Sequence, residues 1–179
     1  MANRDSIKVV CRIRPENAIE LGGAYKRCVE HSEKDISVSV SATMSFVSFI
    51  VANSVIRKQV DTVSQVSDMK GSHKFSFDRV FGSEATQADV FQEVAVPAVD
   101  GVINGYNGTI FCYGQTGSGK SFTMEGGSLY DPVTKGLIPR MFEYLFDKIG
   151  KADPTIEFNI KCSYLEIYME KIQDLLDGK

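Results

Sequence analysis

Residues 109–127 read TIFCYGQTGSGKSFTMEGG, and the change of character within this stretch decides how the chain is read. Its first part, TIFCY, is short, apolar and rich in β-branched and aromatic residues, as a buried strand would be. Glycines then crowd a tight turn, and from Lys120 the chain opens a segment free of helix breakers. Gly114, Gly119, Lys120 and Ser121 satisfy the pattern G-x-x-x-x-G-K-[ST]. At average residue usage roughly 0.6% of random chains this long contain such a match. A strand before the turn and a helix after it are the context in which the pattern works.

The chemistry follows from the residue types. Glycines let backbone N–H groups approach phosphate oxygens with no Cβ in the way. Lys120 brings a cation to the β and γ phosphates, Ser121 offers a hydroxyl to Mg²⁺, and the helix that starts there adds the positive end of its dipole. The expected phosphate-binding set is Gly114, Gln115, Thr116, Gly117, Ser118, Gly119, Lys120 and Ser121, with Ser121 as the metal ligand. A plain glycine-rich turn without a ligand has no need of Gly-Lys-Ser at those offsets.

Working outward, the apolar run over residues 6–13 reads as a buried strand stopped at Arg14-Pro15, with Gly22-Gly23 as a later turn signal. KFSFDRVF, residues 74–81, alternates like one strand and its exit. Thr86 to Asp89 resembles a capping box ahead of a helix with an apolar stripe, kinked by Pro97 and ended by Gly105. A second helix is expected over residues 138–149. Beyond it, residues 156–164 alternate like a strand, and EKIQDLLD takes helical spacing. Strands alternating with helices indicate an α/β protein with helices on both faces of a central sheet.

Composition narrows the function classes. With 179 residues, 43% of them hydrophobic, the chain suits one soluble domain. A net charge of −3, from 20 basic and 23 acidic residues, argues against nucleic-acid binding. The four cysteines, Cys11, Cys28, Cys112 and Cys162, form no C-x-x-C pair, and His31 and His73 lie in polar stretches, so neither a disulfide framework nor a His/Cys metal site is expected. The N-terminal residues contain no apolar signal-peptide core, which makes the cytosol the default location. Residues 36–56 carry no charge, but six serines interrupt them, so strands fit better than a membrane span.

The flanks of the phosphate loop are more specific than the loop. NGYNGTIFCYGQTGSGKSFTMEG, residues 104–126, closely resembles the corresponding segment of kinesin motor domains. The likeness continues in RIRP at residues 12–15, FSFDRVF at 75–81, GLIPR at 136–140 and SYLEIYMEKIQDLL at 163–176. It implies a P-loop NTPase-like α/β fold of the kinesin motor type, truncated here to the N-terminal part of the domain over residues 1–179. It further implies ATP and Mg²⁺ as cofactors, microtubules as partner of the complete protein, dimerisation through a stalk outside this chain, and residence on the cytoskeleton in the cytoplasm. Neither nucleic acid nor membrane insertion is implied.

For the base, the resemblance assigns Arg12 and Pro15 to one side of the adenine and Phe122 to the other. From the residues alone, Arg12 reads equally as a solvated edge residue, Pro15 as a strand stop and Phe122 as core packing. Two departures from the family stand out. The γ-phosphate sensors of the types N-x-x-S-S-R-S-H and D-L-A-G-S-E do not occur in the 179 residues, so no catalytic residue is identified and no motor activity is expected of this chain alone. The uncharged residues 36–56 also fit the family poorly, and residues 37–56 are expected to be dispensable or foreign to the fold. Competing readings are another P-loop nucleotide kinase, a GTPase or a non-catalytic nucleotide-binding fragment. The loop GGSLYDPVTKG has no arginine for a kinase lid, and no N-K-x-D guanine reader is present.

Overall fold

The computed structural model describes residues 7–22, 29–39, 47–52 and 72–177, which fall into two compact units, Met1–Leu145 and Phe146–Lys179. Cys28, Gly23 and residues 40–46 and 53–56 lie outside the described residues. The first unit runs through β1 (Lys8–Ile13), α1 (Ala18–Gly22), β2 (Val29–His31), β3 (Asp35–Ser39), β4 (Val47–Ala52), β5 (Ser72–Ser76) and β6 (Arg79–Phe81). It continues through α2 (Gln87–Val90), α3 (Val96–Ile103), β7 (Ile110–Tyr113) and α4 (Lys120–Met124) into α5 (Leu137–Gly150), whose last turns belong to the second unit.

The main sheet has the order β6-β1-β4-β7. Strand β1 pairs parallel with β6 and antiparallel with β4, and β4 pairs antiparallel with β7. Because side chains alternate across a strand, Val10 and Arg12 share one face of β1 while Cys11 and Ile13 share the other. Val10 packs with Phe81, Val90, Phe91, Val94, Ala95 and Leu137, which joins the sheet to the helices. Cys11 and Ile13 pack with Val29, Ile36 and Val80, which joins it to a smaller sheet of order β2-β3-β5. Each such fully buried aliphatic or aromatic side chain contributes about 1.5–3 kcal/mol.

The segment expected as one strand, residues 74–81, is split between the two sheets. The break lies at Phe77-Asp78, where Asp78 accepts the Val9 N–H on its carboxylate at 2.7 Å and donates its own N–H to the Val9 carbonyl at 3.0 Å. A side chain standing in for a ladder partner lets the chain leave one sheet and enter the other.

The long helical stretch from Gln87 to Ile103 starts as expected. Thr86 and Asp89 form a reciprocal capping box, the Thr86 N–H donating to the Asp89 carboxylate at 2.8 Å. Accepting from the Thr86 hydroxyl and backbone holds the Asp89 carboxyl below its ordinary pKa. Instead of a sharp kink at Pro97, residues Phe91–Ala95 widen into a π turn. Proline has no N–H to donate to the Glu93 carbonyl. That carbonyl accepts from the Lys8 ammonium at 3.1 Å, and the same ammonium pairs with the Glu93 carboxylate, so the group freed by proline is satisfied from β1. The stretch ends at Gly105, which takes a left-handed φ of 88°.

Two expectations are corrected. The described parts of residues 37–56 are paired within the two sheets and do not stand outside the fold: residues 37–39 end β3, the middle strand of the small sheet, and residues 47–52 form β4, paired along both edges. Lack of charge, which made the segment look foreign, is compatible with a strand paired along both edges. In the second unit, EKIQDLLD is not helical. It supplies the return strand of a hairpin formed by β8 (Leu165–Tyr168) and β9 (Lys171–Asp174), and residues 156–164 form no strand. The hairpin turns at Met169 and Glu170, both left-handed with φ of 48° and 62°, without the Asn-Gly or Asp-Gly pair that usually announces such a turn.

The paired position of β4 gives a direct test. Removing residues 47–52 separates β1 from β7 and exposes the facing backbone of both. The expected outcome is loss of the cooperative thermal transition monitored by circular dichroism; an unchanged melting temperature would contradict the central position of the strand.

Candidate nucleotide-binding site

Strand β7 leads directly into the glycine loop, and α4 begins at Lys120. Gly117 and Gly119 have φ of 82° and 96°, values that a residue with a Cβ reaches only with strain. Gln115, Thr116 and Gly117 form an exposed arch, whereas Ser118 is buried and Gly119 and Lys120 are half-buried. The Lys120 ammonium donates to the Gly114 and Gln115 carbonyls at 2.7 and 2.8 Å, so it lies across the inside of the arch. The Thr123 N–H donates to the Gly119 carbonyl at 2.9 Å and starts the helix within the motif. Ser121 stands exposed on the first turn, where its hydroxyl is open to an incoming metal ion. A hard oxygen donor beside a bound phosphate suits Mg²⁺, which is held by few protein ligands.

The three residues expected at the base are placed differently from one another. Arg12 and Phe122 come together, with the guanidinium carbon 5.6 Å from the ring centroid. Pro15 is exposed, two residues beyond the end of β1. Neither residue-level alternative for the pair fits: Arg12 is only 7% exposed on a strand with neighbours on both sides, and Phe122 is 44% exposed. The guanidinium donates to Gln87 Oε1 at 2.6 Å, to Thr123 Oγ1 at 3.0 Å and to the Ala85 carbonyl at 3.3 Å. Burial pulls its pKa below the usual value, while Cys112 and Asp89 act in the opposite direction. Arginine remains a cation even so.

Gln87 and Thr123 were not picked out from the sequence. Both are almost fully buried. The signal for Gln87 was present, because it falls on the buried stripe with Val90, Phe91 and Val94 at helical spacing. A polar residue on that stripe needs partners, and Arg12 is one of them.

The segment between α4 and α5 closes on itself beside this cluster. Gly126 bridges to Lys135, and the Gly127 N–H donates to the Thr134 carbonyl at 3.0 Å. A Cβ at Gly126 or Gly136 would collide with the backbone opposite. Asp131 accepts from the Val133 N–H at 3.0 Å and the Thr134 hydroxyl at 2.6 Å, which holds its carboxyl below the ordinary pKa. Leu129, Tyr130 and Val133 are exposed at the tip.

The family model for the kinesin motor domain matches residues 12–179, a span that includes the arginine cluster, the glycine loop and the hairpin. The chain belongs to the kinesin motor-domain family. Kinesin-related protein 3 of Dictyostelium discoideum is 42% identical over 97% of this chain, and the kinesin-1 heavy chain of Rattus norvegicus is 40% identical over 96%. The chain spans 13% and 14% of the lengths of these two relatives. The solved structure of a fast kinesin, studied for its ATPase mechanism and interactions with microtubules, superimposes with a TM-score of 0.72 at 36% identity, covering 96% of this chain and 41% of that one. The expected α/β kinesin motor fold is therefore present. Among the described residues no helix is long and apolar enough to cross a membrane, and no group of His, Cys, Asp and Glu is arranged to hold a metal ion.

Cysteine chemistry tests the electrostatics of this kinesin site. Cys112, one strand position before Tyr113, has its pKa pushed up to about 11 by burial, with Arg12 and Lys120 opposing the shift. Its thiol is therefore protonated at neutral pH and becomes reactive only as pH approaches that value. With iodoacetamide at pH 8, the exposed Cys162 should be alkylated first and Cys112 slowly, its rate rising as the pH is raised. Peptide mass spectrometry checks this order; equal rates at pH 8 would mean that Cys112 is not buried beside the loop.

Proposed function

We propose that this chain forms the ATP-binding part of a microtubule-based motor, the N-terminal portion of a kinesin motor domain. The carrying observation is the glycine loop between β7 and α4, with Gly117 and Gly119 left-handed and the Lys120 ammonium drawn across the arch. In this reading Gly114 to Ser121 hold the phosphates, and Lys120 exchanges its carbonyl contacts for phosphate oxygens. A phosphate is the stronger partner for an ammonium group, because the hydrogen bond is then charge-assisted on both sides.

Mg²⁺ would be held by Ser121 together with the nucleotide. When bound, it neutralises charge on the phosphates. Arg12 and Phe122 present a cation and an aromatic surface to the adenine, with Pro15 at the margin. Hydrolysis of ATP coupled to movement along microtubules is the activity that family membership supports for the complete protein, and the cytoskeleton in the cytoplasm is its proposed location.

Two variants of the full-length gene product test the two halves of the site. Lys120→Ala removes the loop's cation and should lower microtubule-stimulated ATP turnover by at least about 100-fold, the scale of losing one electrostatic contact to the reacting group. Undiminished turnover would refute the phosphate assignment. Phe122→Ala removes one stacking surface, worth about 1–3 kcal/mol, and should weaken ATP binding roughly 5- to 150-fold. Equal affinity of wild type and variant in a fluorescent-nucleotide titration would exclude Phe122 from the base site.

A further inference from the structure

Gln87 is 2% exposed, and its amide meets three separate parts of the first unit. Its Oε1 accepts from the Arg12 guanidinium at 2.6 Å on β1. Its Nε2 donates to the Phe122 carbonyl at 2.6 Å in α4 and to the Thr134 carbonyl at 3.1 Å in the segment between α4 and α5. The orientation of the amide is unambiguous, because arginine can only donate and carbonyls can only accept.

These partners surround one ring. Arg12 lies over the Phe122 ring, and Gly127 lies at its edge, where an added Cβ would come 3.8 Å from Cε2. Gly127 is itself hydrogen-bonded to Thr134, whose carbonyl thus accepts from Gly127 and from Gln87 together. One amide therefore sets the position of the cation, the backbone that carries the ring and the segment that bounds its edge.

We propose that Gln87 is the positioning residue of the base-binding half of the site: it holds Arg12, Phe122 and the 126–136 segment in register and does not touch the nucleotide. This rests on the reading of Arg12 and Phe122 as the base-contacting pair. It separates the two halves of ligand recognition, because the Gln87 amide hydrogen-bonds to Arg12, Phe122 and Thr134 and not to the Gly114 to Ser121 loop that would hold the phosphates. A residue that only stabilises the fold would alter both halves alike.

The test uses the full-length gene product and calorimetric titration with ATP and, separately, with inorganic tripolyphosphate, which engages the phosphate half alone. Gln87→Met keeps the volume and loses all three hydrogen bonds; it should bind ATP about tenfold more weakly and tripolyphosphate within about twofold of wild type. Gln87→Asn keeps the amide but is one methylene short, so it should show a smaller loss of the same kind, and it carries the test if the Met variant does not fold. Unchanged ATP affinity in a folded variant, or equal losses for both ligands, would overturn the proposal. Phe122→Ala, titrated in parallel, separates the causes. If it weakens ATP and Gln87→Met does not, the positioning role alone is wrong; if it leaves ATP unchanged, the base reading fails and this inference with it.

Discussion

A buried cation must be answered by acceptors, and in this chain that requirement assembles the site. Arg12 stands on the helix-facing side of β1 because of the two-residue period of the strand, next to Val10 on the same face. Burying an unpaired guanidinium costs several kcal/mol, so the surrounding elements are held where they supply oxygen. Three of them do so: the Ala85 carbonyl before α2, the Gln87 amide at its first turn and the Thr123 hydroxyl in α4. Each acceptor belongs to a segment whose position matters for the nucleotide loop. The start of α2 is fixed independently by the Thr86–Asp89 capping box, so Gln87 is presented in one place.

Pro97 shows the same logic applied to the backbone. Its missing N–H leaves the Glu93 carbonyl to be satisfied elsewhere, and the π turn with Lys8 bound to both the carbonyl and the carboxylate of Glu93 does so. The result is a second polar tie between β1 and the long helix, on an exposed flank, while Val10, Val90, Phe91 and Val94 form the apolar tie in the interior. The apolar contacts carry most of the stabilisation, since surface ion pairs contribute little. The polar ties select the register in which that apolar packing occurs.

Much of this was legible in the sequence, and the exceptions have physical causes. The strand at residues 6–13, the capping box, the strand before the glycine loop and the second helix depend on local pattern, and the structure has β1, the Thr86–Asp89 box, β7 and α5 there. Family resemblance assigned Arg12 and Phe122 to opposite sides of a base, whereas the structure has the guanidinium over the Phe122 ring, 5.6 Å from its centroid. What failed depends on the partner a segment finds. The uncharged residues 47–52 look out of place until β1 and β7 flank them. EKIQDLLD has apolar residues at spacings that suit a helix, yet the left-handed pair Met169-Glu170 returns the chain as a hairpin with no sequence mark of the turn. Gln87 carries no motif of its own, and only its place at helical spacing from the buried Val90, Phe91 and Val94 marks it as interior.

The two halves of the site are built from different materials. The phosphate loop depends on backbone geometry: two left-handed glycines shape an exposed arch, and one ammonium group lies across it. Nothing in such an arch distinguishes one nucleotide base from another, because every nucleoside triphosphate offers it the same oxygens. The Arg12–Phe122 surface depends on side chains, and its order comes from the buried network beneath it, in which Gln87 and Thr123 are almost inaccessible to water. A buried network that is fully paired is rigid, since moving one member leaves another unsatisfied. In the proposed reading, charge recognition uses the backbone of the loop, and base recognition a side-chain surface backed by the buried Gln87 and Thr123. The 126–136 segment meets the arginine network through the Thr134 carbonyl, which accepts from Gln87, and the end of the glycine loop through the Gly126 N–H, which donates to the Ser121 carbonyl at 3.2 Å, so it is tied to both parts of the candidate site.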